Sequence, residues 1–76
     1  MKYSEALTYK KEALKKADES VLKSYHIIIV PADTEESAQY IEAFSKNPDD
    51  FNDNSCKKYC SNDEYEVVSF SKEDES

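Results

Sequence analysis

Few residues in this chain are of a type that does covalent or metal chemistry. The stretch CKKYC holds Cys56 and Cys60, the only two cysteines, and His26 is the only histidine. Thiolate and imidazole are the ligands a structural zinc ion prefers, usually in sets of four. Cys56, Cys60 and His26 make three, so a complete site needs a carboxylate or a second copy of the chain. The spacing is one residue longer than the common C-x2-C knuckle, and it is not the C-x-x-C of a thioredoxin-type redox pair. At i and i+4 on a helix the two thiols are close enough for a strained disulfide. Lys57 and Lys58 are placed to lower a neighbouring thiol pKa, which would suit a redox switch. In a reducing compartment the plainer expectation is two free thiols packed inward as small hydrophobes. His26 opens the run HIIIV and has no serine–aspartate arrangement around it that reads as a triad. It is expected at a strand end, partly buried and hydrogen-bonded.

Carboxylates are plentiful, but acid–base catalysis needs two whose environments push their pKa values apart. Most here fall in turns and on polar helix faces, where water keeps them ordinary. DDFNDNS is rich in aspartate, yet it lacks the spacing, central glycine and terminal glutamate of an EF-hand loop. No catalytic residue, metal ligand or cofactor is therefore assigned, and the chain is expected to be non-enzymatic.

What remains is the charge as a whole. The chain carries 17 acidic and 10 basic residues, a net charge of −7. That balance argues against direct nucleic-acid binding and against adsorption to an anionic membrane. It suits a basic partner. Every basic residue is lysine, so no planar bidentate fork is present for phosphate or carboxylate. No glycine occurs at all, which excludes glycine-rich phosphate loops. Abundant lysine, asparagine, isoleucine and tyrosine suggest an AT-rich source such as a phage or mobile element. The acidity lies in the C-terminal two-thirds: residues 1–25 balance at +2 and residues 26–76 at −9.

The elements that must position these groups follow from periodicity. Seventy-six residues make one small domain. A helix is expected from about Ser4 to Asp18, with Ser4 as N-cap and Leu7, Leu14, Ala17 and Val21 in one stripe. Glu12–Lys16 and Glu19–Lys23 stand at i,i+4 as candidate ion pairs. SYHIIIVPA is the clearest strand, and its unbroken apolar run implies burial on both faces. A second helix starts at Asp33, with Glu36 expected to return a capping-box bond. Its apolar face is Tyr40, Ile41 and Phe44, and Ala38 is small enough to let it lie close to a sheet. Asn47 and Pro48 end it. A turn-rich stretch anchored by Phe51 follows, and CKKYC forms one helical turn. Glu64–Ser71 is a strand, with Val68 and Phe70 on one face and Tyr65 and Val67 on the other. Residues 72–76 read as a frayed tail. Left-handed turns must use asparagine or aspartate, with Asn47, Asn52, Asn54 and Asn62 as candidates.

The fold class is thus α+β in the order α-β-α-β, with helices on a small sheet. Two strands alone are marginal in water. Either a strand is hidden, or a strand edge pairs with a second copy, or an edge adds to a partner's sheet. No apolar run reaches membrane-spanning length and no leader pattern opens the chain, so a cytoplasmic setting is expected.

The functional expectation is an acidic inhibitor or regulator, with the phage origin that its residue usage suggests, that covers a basic, nucleic-acid-binding surface on a larger protein by charge mimicry. Glu35, Glu36, Glu42, Asp49, Asp50 and Asp53 supply the charge. Tyr59 supplies an aromatic contact, since neither it nor Tyr9 falls on a buried face. Charge that merely keeps a small protein soluble is the competing explanation. Alternatives are an assembly module that homodimerises through strand edges, and a thiol or metal protein using Cys56 and Cys60.

Overall fold

The computed structural model describes residues 1–72; the tail expected to fray lies, from Glu73 on, outside the described residues. The elements are α1 (Tyr3–Lys16), α2 (Glu19–Ser24), β1 (Tyr25–Pro31), α3 (Thr34–Lys46) and β2 (Tyr65–Ser71), with 3-10 turns at Pro48–Asp50 and Ser55–Lys58. The fold is α+β with the expected order, plus the short α2. Both expected strands form, and they pair antiparallel with Ile28 opposite Val68 and Pro31 opposite Tyr65. No described helix is long and apolar enough to cross a membrane.

Each helix starts and stops for a local reason. Lys2, not Ser4, is the extended residue before α1, and the Glu5 carboxylate accepts from the Lys2 N–H at 2.9 Å. That bond satisfies a donor that the helix leaves orphaned. α1 ends at Lys16 because Ala17 and Asp18 are both extended. The break splits the expected stripe: Val21 belongs to α2, and both Leu14 and Val21 are exposed. Neither Glu12–Lys16 nor Glu19–Lys23 forms an ion pair among the described residues. α3 is capped as anticipated on one side only. Asp33 Oδ1 accepts from the Glu35 and Glu36 N–H groups at 3.0 and 3.1 Å. Glu36 does not return the bond; its carboxylate accepts from the Ser61 N–H at 3.3 Å and ties α3 to the distant turn before β2. Ala38 is exposed, and Ala6 of α1 is the fully buried alanine instead.

The sheet parity explains the layers. Side chains alternate along a strand, so residues directly opposite share a face. His26, Ile28, Val30, Val68 and Phe70 share one, and α3 covers it: the Phe44 ring lies 5.0 Å from His26 and 6.1 Å from Phe70. Ile27, Ile29, Pro31, Tyr65 and Val67 share the other, and α1 covers it through an edge-to-face contact of Tyr3 on Tyr65 at 5.4 Å. Ile28, Ile29, Val30 and Pro31 are consecutively buried, as an apolar run flanked by two helices requires. Each such side chain contributes about 1.5–3 kcal/mol on removal from water.

The strand edges differ. The Ala32 N–H donates to the Glu64 carbonyl at 2.9 Å and the Lys72 N–H to the Ser24 carbonyl at 2.8 Å. These bonds flank the ladder, so even-numbered residues turn their backbone groups inward and odd-numbered residues turn theirs outward. The 3-10 turn at Ser55–Lys58 packs beside β1, and Cys56 is buried there. Among the described residues, only Tyr65 of β2 has an outer partner, exchanging two bonds with Met1 at 2.7 and 2.9 Å.

Candidate functional site

The segment between α3 and β2 fixes both cysteines. Asn52 organises it: its side-chain oxygen accepts from the Asn54 N–H at 2.9 Å, and its own N–H donates to Ser55 Oγ at 3.0 Å. This is the Asx chemistry that turns without glycine need. The left-handed position is none of the four expected asparagines: among the described residues only Asp63 has positive φ, at 60°. Asn47 sits at φ −144° and ψ 70°, outside the left-handed region.

Cys56 is fully buried and its Sγ donates to the Asp53 carbonyl at 3.3 Å. Burial pushes its thiol up to about 11. Lys57 opposes that shift only weakly, because its ammonium lies over the Tyr3 ring, 4.2 Å from the centroid. At Cys56 desolvation outweighs the neighbouring lysine, and the buried thiol matches the plainer expectation of a small packed hydrophobe. Cys60 Sγ donates to the Glu64 carbonyl at 3.3 Å and reaches Asn62 Oδ1 at 3.5 Å. Both cysteines are free. Among the described residues no three His, Cys, Asp or Glu side chains are placed to hold a metal ion.

His26 is partly buried, as anticipated, but no hydrogen bond to its ring occurs among the described residues. It is wedged between Phe44 and Phe70, at 5.0 and 5.4 Å. Burial holds its pKa below the ordinary 6.5, helped by the nearby Lys72 charge.

The acidic residues separate into two groups. Asp53 pairs with the Lys10 ammonium, and Glu36 is occupied by Ser61. Glu64 bridges Lys2 and the Met1 amino group at 3.2 and 3.3 Å, and the Lys2 bond leads in holding its pKa below the usual range. Glu35, Glu42, Asp49 and Asp50 instead are exposed and make no ion pair among the described residues. Glu35 and Glu42 stand seven residues apart on α3, a rise of about 10 Å along one stripe. Asp49 and Asp50 continue past its C-terminal end. Lysines 10, 11, 15 and 16 are all carried by α1, across the sheet from α3.

Tyr59 lies mainly inward. Its ring meets Tyr40 edge-on at 5.2 Å, so most of the aromatic contact once assigned to a partner is made within the chain. Its remaining surface borders a recess shared with Lys46, Asp50 and Lys58. Tyr9 is 56% exposed on the outer side of α1. Sequence reasoning named strand edges but not the exposed one, because backbone parity is set by register and hydropathy alone does not give it. Compared with protein-family models, with curated proteins and with solved structures, the chain matches none.

Proposed function

We propose that this protein is a non-enzymatic inhibitor or regulator that covers a basic surface on a larger protein with the outer side of α3. One observation carries the reading. Glu35, Glu42, Asp49 and Asp50 are exposed without ion-pair partners among the described residues, while Lys10, Lys11, Lys15 and Lys16, four of the ten lysines, lie on α1, beyond the sheet. The charge is segregated, and segregated charge steers a partner by one face. A charge whose only task was solubility would gain nothing from this separation. A row of spaced carboxylates on a rigid helix imitates the phosphates that a nucleic-acid-binding groove accepts. The AT-rich residue usage fits a phage or mobile-element origin, and the proposed partner is a host enzyme that handles nucleic acid.

The test is a pull-down from a bacterial lysate with salt washes, using the chain and a variant carrying Glu35→Lys and Glu42→Lys. The expected result is one stoichiometric protein, released by salt and captured far less by the variant. Capture that is indifferent to ionic strength and to the two substitutions refutes the reading.

A further inference from the structure

We propose that two copies of the chain associate through the outer edge of β2, antiparallel and centred on Ser69, to make a four-stranded sheet. This is independent of the acidic-face reading, because it uses a different element.

Val67, Ser69 and Ser71 turn their N–H and C=O groups away from β1, and no bond to those groups occurs among the described residues. Ser69 and Ser71 are exposed. Natural sheets protect such an edge with lysine, proline, a bulge or an inward charge. The stretch VVSFS, Val67–Ser71, has none of these. Among the described residues, the one protected position is Tyr65, where Met1 takes both bonds.

The register follows from parity. An antiparallel pair exchanges bonds only between residues whose groups both face the partner. Ser69 opposite its own copy, with Val67 opposite Ser71 on either side, uses every unoccupied outward residue from 67 to 71. Registers displaced towards Tyr65 collide with the Met1 pairing. Registers displaced the other way leave Val67 without a described partner.

The chosen register is also self-complementary in side chains. It sets Glu66 opposite Lys72 of the second copy, twice by symmetry, both on the α3 side of the sheet. Lys72 keeps reach for this pairing, since its ammonium is on the surface, 3.2 Å from the Leu22 carbonyl. Between those charges it sets Val68 opposite Phe70, in the closer, non-hydrogen-bonded type of pair. Both side chains are only partly buried in the single chain, and the pairing extends the Phe44–Phe70–His26 cluster across the two-fold axis. The axis runs perpendicular to the sheet, so the two α3 helices emerge on one side and the two α1 helices on the other. An isologous contact of this kind closes on itself and does not propagate.

Sedimentation of the chain from about 10 μM to about 1 mM, the range expected of a short edge contact, tests this. The chain is used without residues ahead of Met1, since an extension there would run along the same edge. The expected result is a mass rising from 8.8 kDa to twice that. Ser69→Pro removes an outward N–H and no bond to β1, and should abolish the dimer while leaving the circular dichroism unchanged. Glu66→Lys sets like charges opposite each other at two places and should weaken association about tenfold. Adding Lys72→Glu to it should restore the affinity. This surface pair keeps the test decisive if the proline variant misfolds. A chain that stays monomeric to 1 mM overturns the proposal, as does a dimer indifferent to the charge reversal and its repair. A monomer that instead takes up an extended peptide assigns the edge to another protein and also overturns it.

Discussion

Tyr40 is the residue on which the two halves of the molecule depend, and substituting it tests the account of the core. Its side chain is 1% exposed on α3 and meets Phe51 at 5.5 Å and Tyr59 at 5.2 Å, so it alone joins that helix to both ends of the connecting segment. Removing the ring in Tyr40→Ala should cost about 3–5 kcal/mol, the usual range for a buried aromatic. A domain of this length has roughly 4–11 kcal/mol in total, at about 0.05–0.15 kcal/mol per residue. The alanine variant is therefore expected to lose a large share of the fold's stability, with its denaturation midpoint shifted strongly downward. The hydroxyl is a separate matter. It lies 3.5 Å from the Asn52 carbonyl, at the limit of useful hydrogen-bond geometry, so Tyr40→Phe should cost under about 1 kcal/mol at neutral pH. At alkaline pH the order reverses. Burial raises the Tyr40 pKa from 10.0 to about 12. The folded state thus holds this proton more tightly than the unfolded state, so its contribution is complete below pH 10 and is lost as pH rises through 12. Two pH units correspond to about 3 kcal/mol once titration is complete, of which about half is lost by pH 11, and Tyr40→Phe should keep that part. Tyr3 and Tyr65 are raised by burial as well and will still weaken the variant. Urea titrations followed by circular dichroism at pH 7 and pH 11 measure both effects. If the alanine variant falls within about 1 kcal/mol of the parent, or phenylalanine is as damaging as alanine at pH 7, the reasoning fails.

Three further predictions concern the cap, the thiols and the histidine. Asp33→Ala removes the acceptor for two N–H groups of α3 and should cost about 0.5–2 kcal/mol in chemical denaturation, whereas Asp33→Asn should recover most of it. Cys56, with its pKa near 11 and its side chain enclosed, should react with a thiol reagent at pH 8 far more slowly in the native chain than in urea; equal rates would show that the site is open. His26 has a lowered folded pKa, so stability is complete above its ordinary 6.5 and declines as pH falls through that value towards the folded one. His26→Phe should remove this slope between pH 7 and pH 5, and a titration by nuclear magnetic resonance should place the His26 midpoint below that of an unfolded peptide.

The elements were legible in the sequence wherever a pattern and a local end signal agreed. HIIIVP announced a strand covered on both faces, and the structure buries Ile28 to Pro31 in succession. Asp33 announced a cap, and its carboxylate accepts from the Glu35 and Glu36 N–H groups. What misled was any inference that needed a partner chosen at long range. Glu36 stood at the box position but paired with Ser61 instead, because a turn 25 residues away offered its backbone N–H. Lys57 looked like the activator of a thiol and settled over Tyr3. Tyr59 looked like a contact residue because helix phase placed it on no known face; the 3-10 turn that aims it at Tyr40 is set by Asn52 and Ser55, not by hydropathy.

The same division explains why the acidic face and the strand edge have different standing in the sequence. Charge segregation was visible as a count, since the first 25 residues are net basic and the rest acidic. Placing α1 and α3 on opposite faces then turned a difference along the chain into a difference across the molecule. The edge was not visible, because a strand has two and only register says which is outward at each residue. Once Ala32–Glu64 and Ser24–Lys72 fix that register, VVSFS becomes a row of outward odd-numbered backbone groups between Glu66 and Lys72. A two-stranded sheet gains most from the neighbour it lacks, and this chain presents a self-complementary edge on the side that neither helix covers. If both proposals hold, pairing through β2 sets two acidic helices on one side of a single sheet. Binding of a basic partner that offers two grooves would then rise with dimer formation, through effective concentration and not through any new contact. Ser69→Pro separates the cases: it should reduce capture of such a partner while leaving each α3 surface intact. Capture unchanged by Ser69→Pro but lost on reversing Glu35 and Glu42 would mean that the acidic face acts alone.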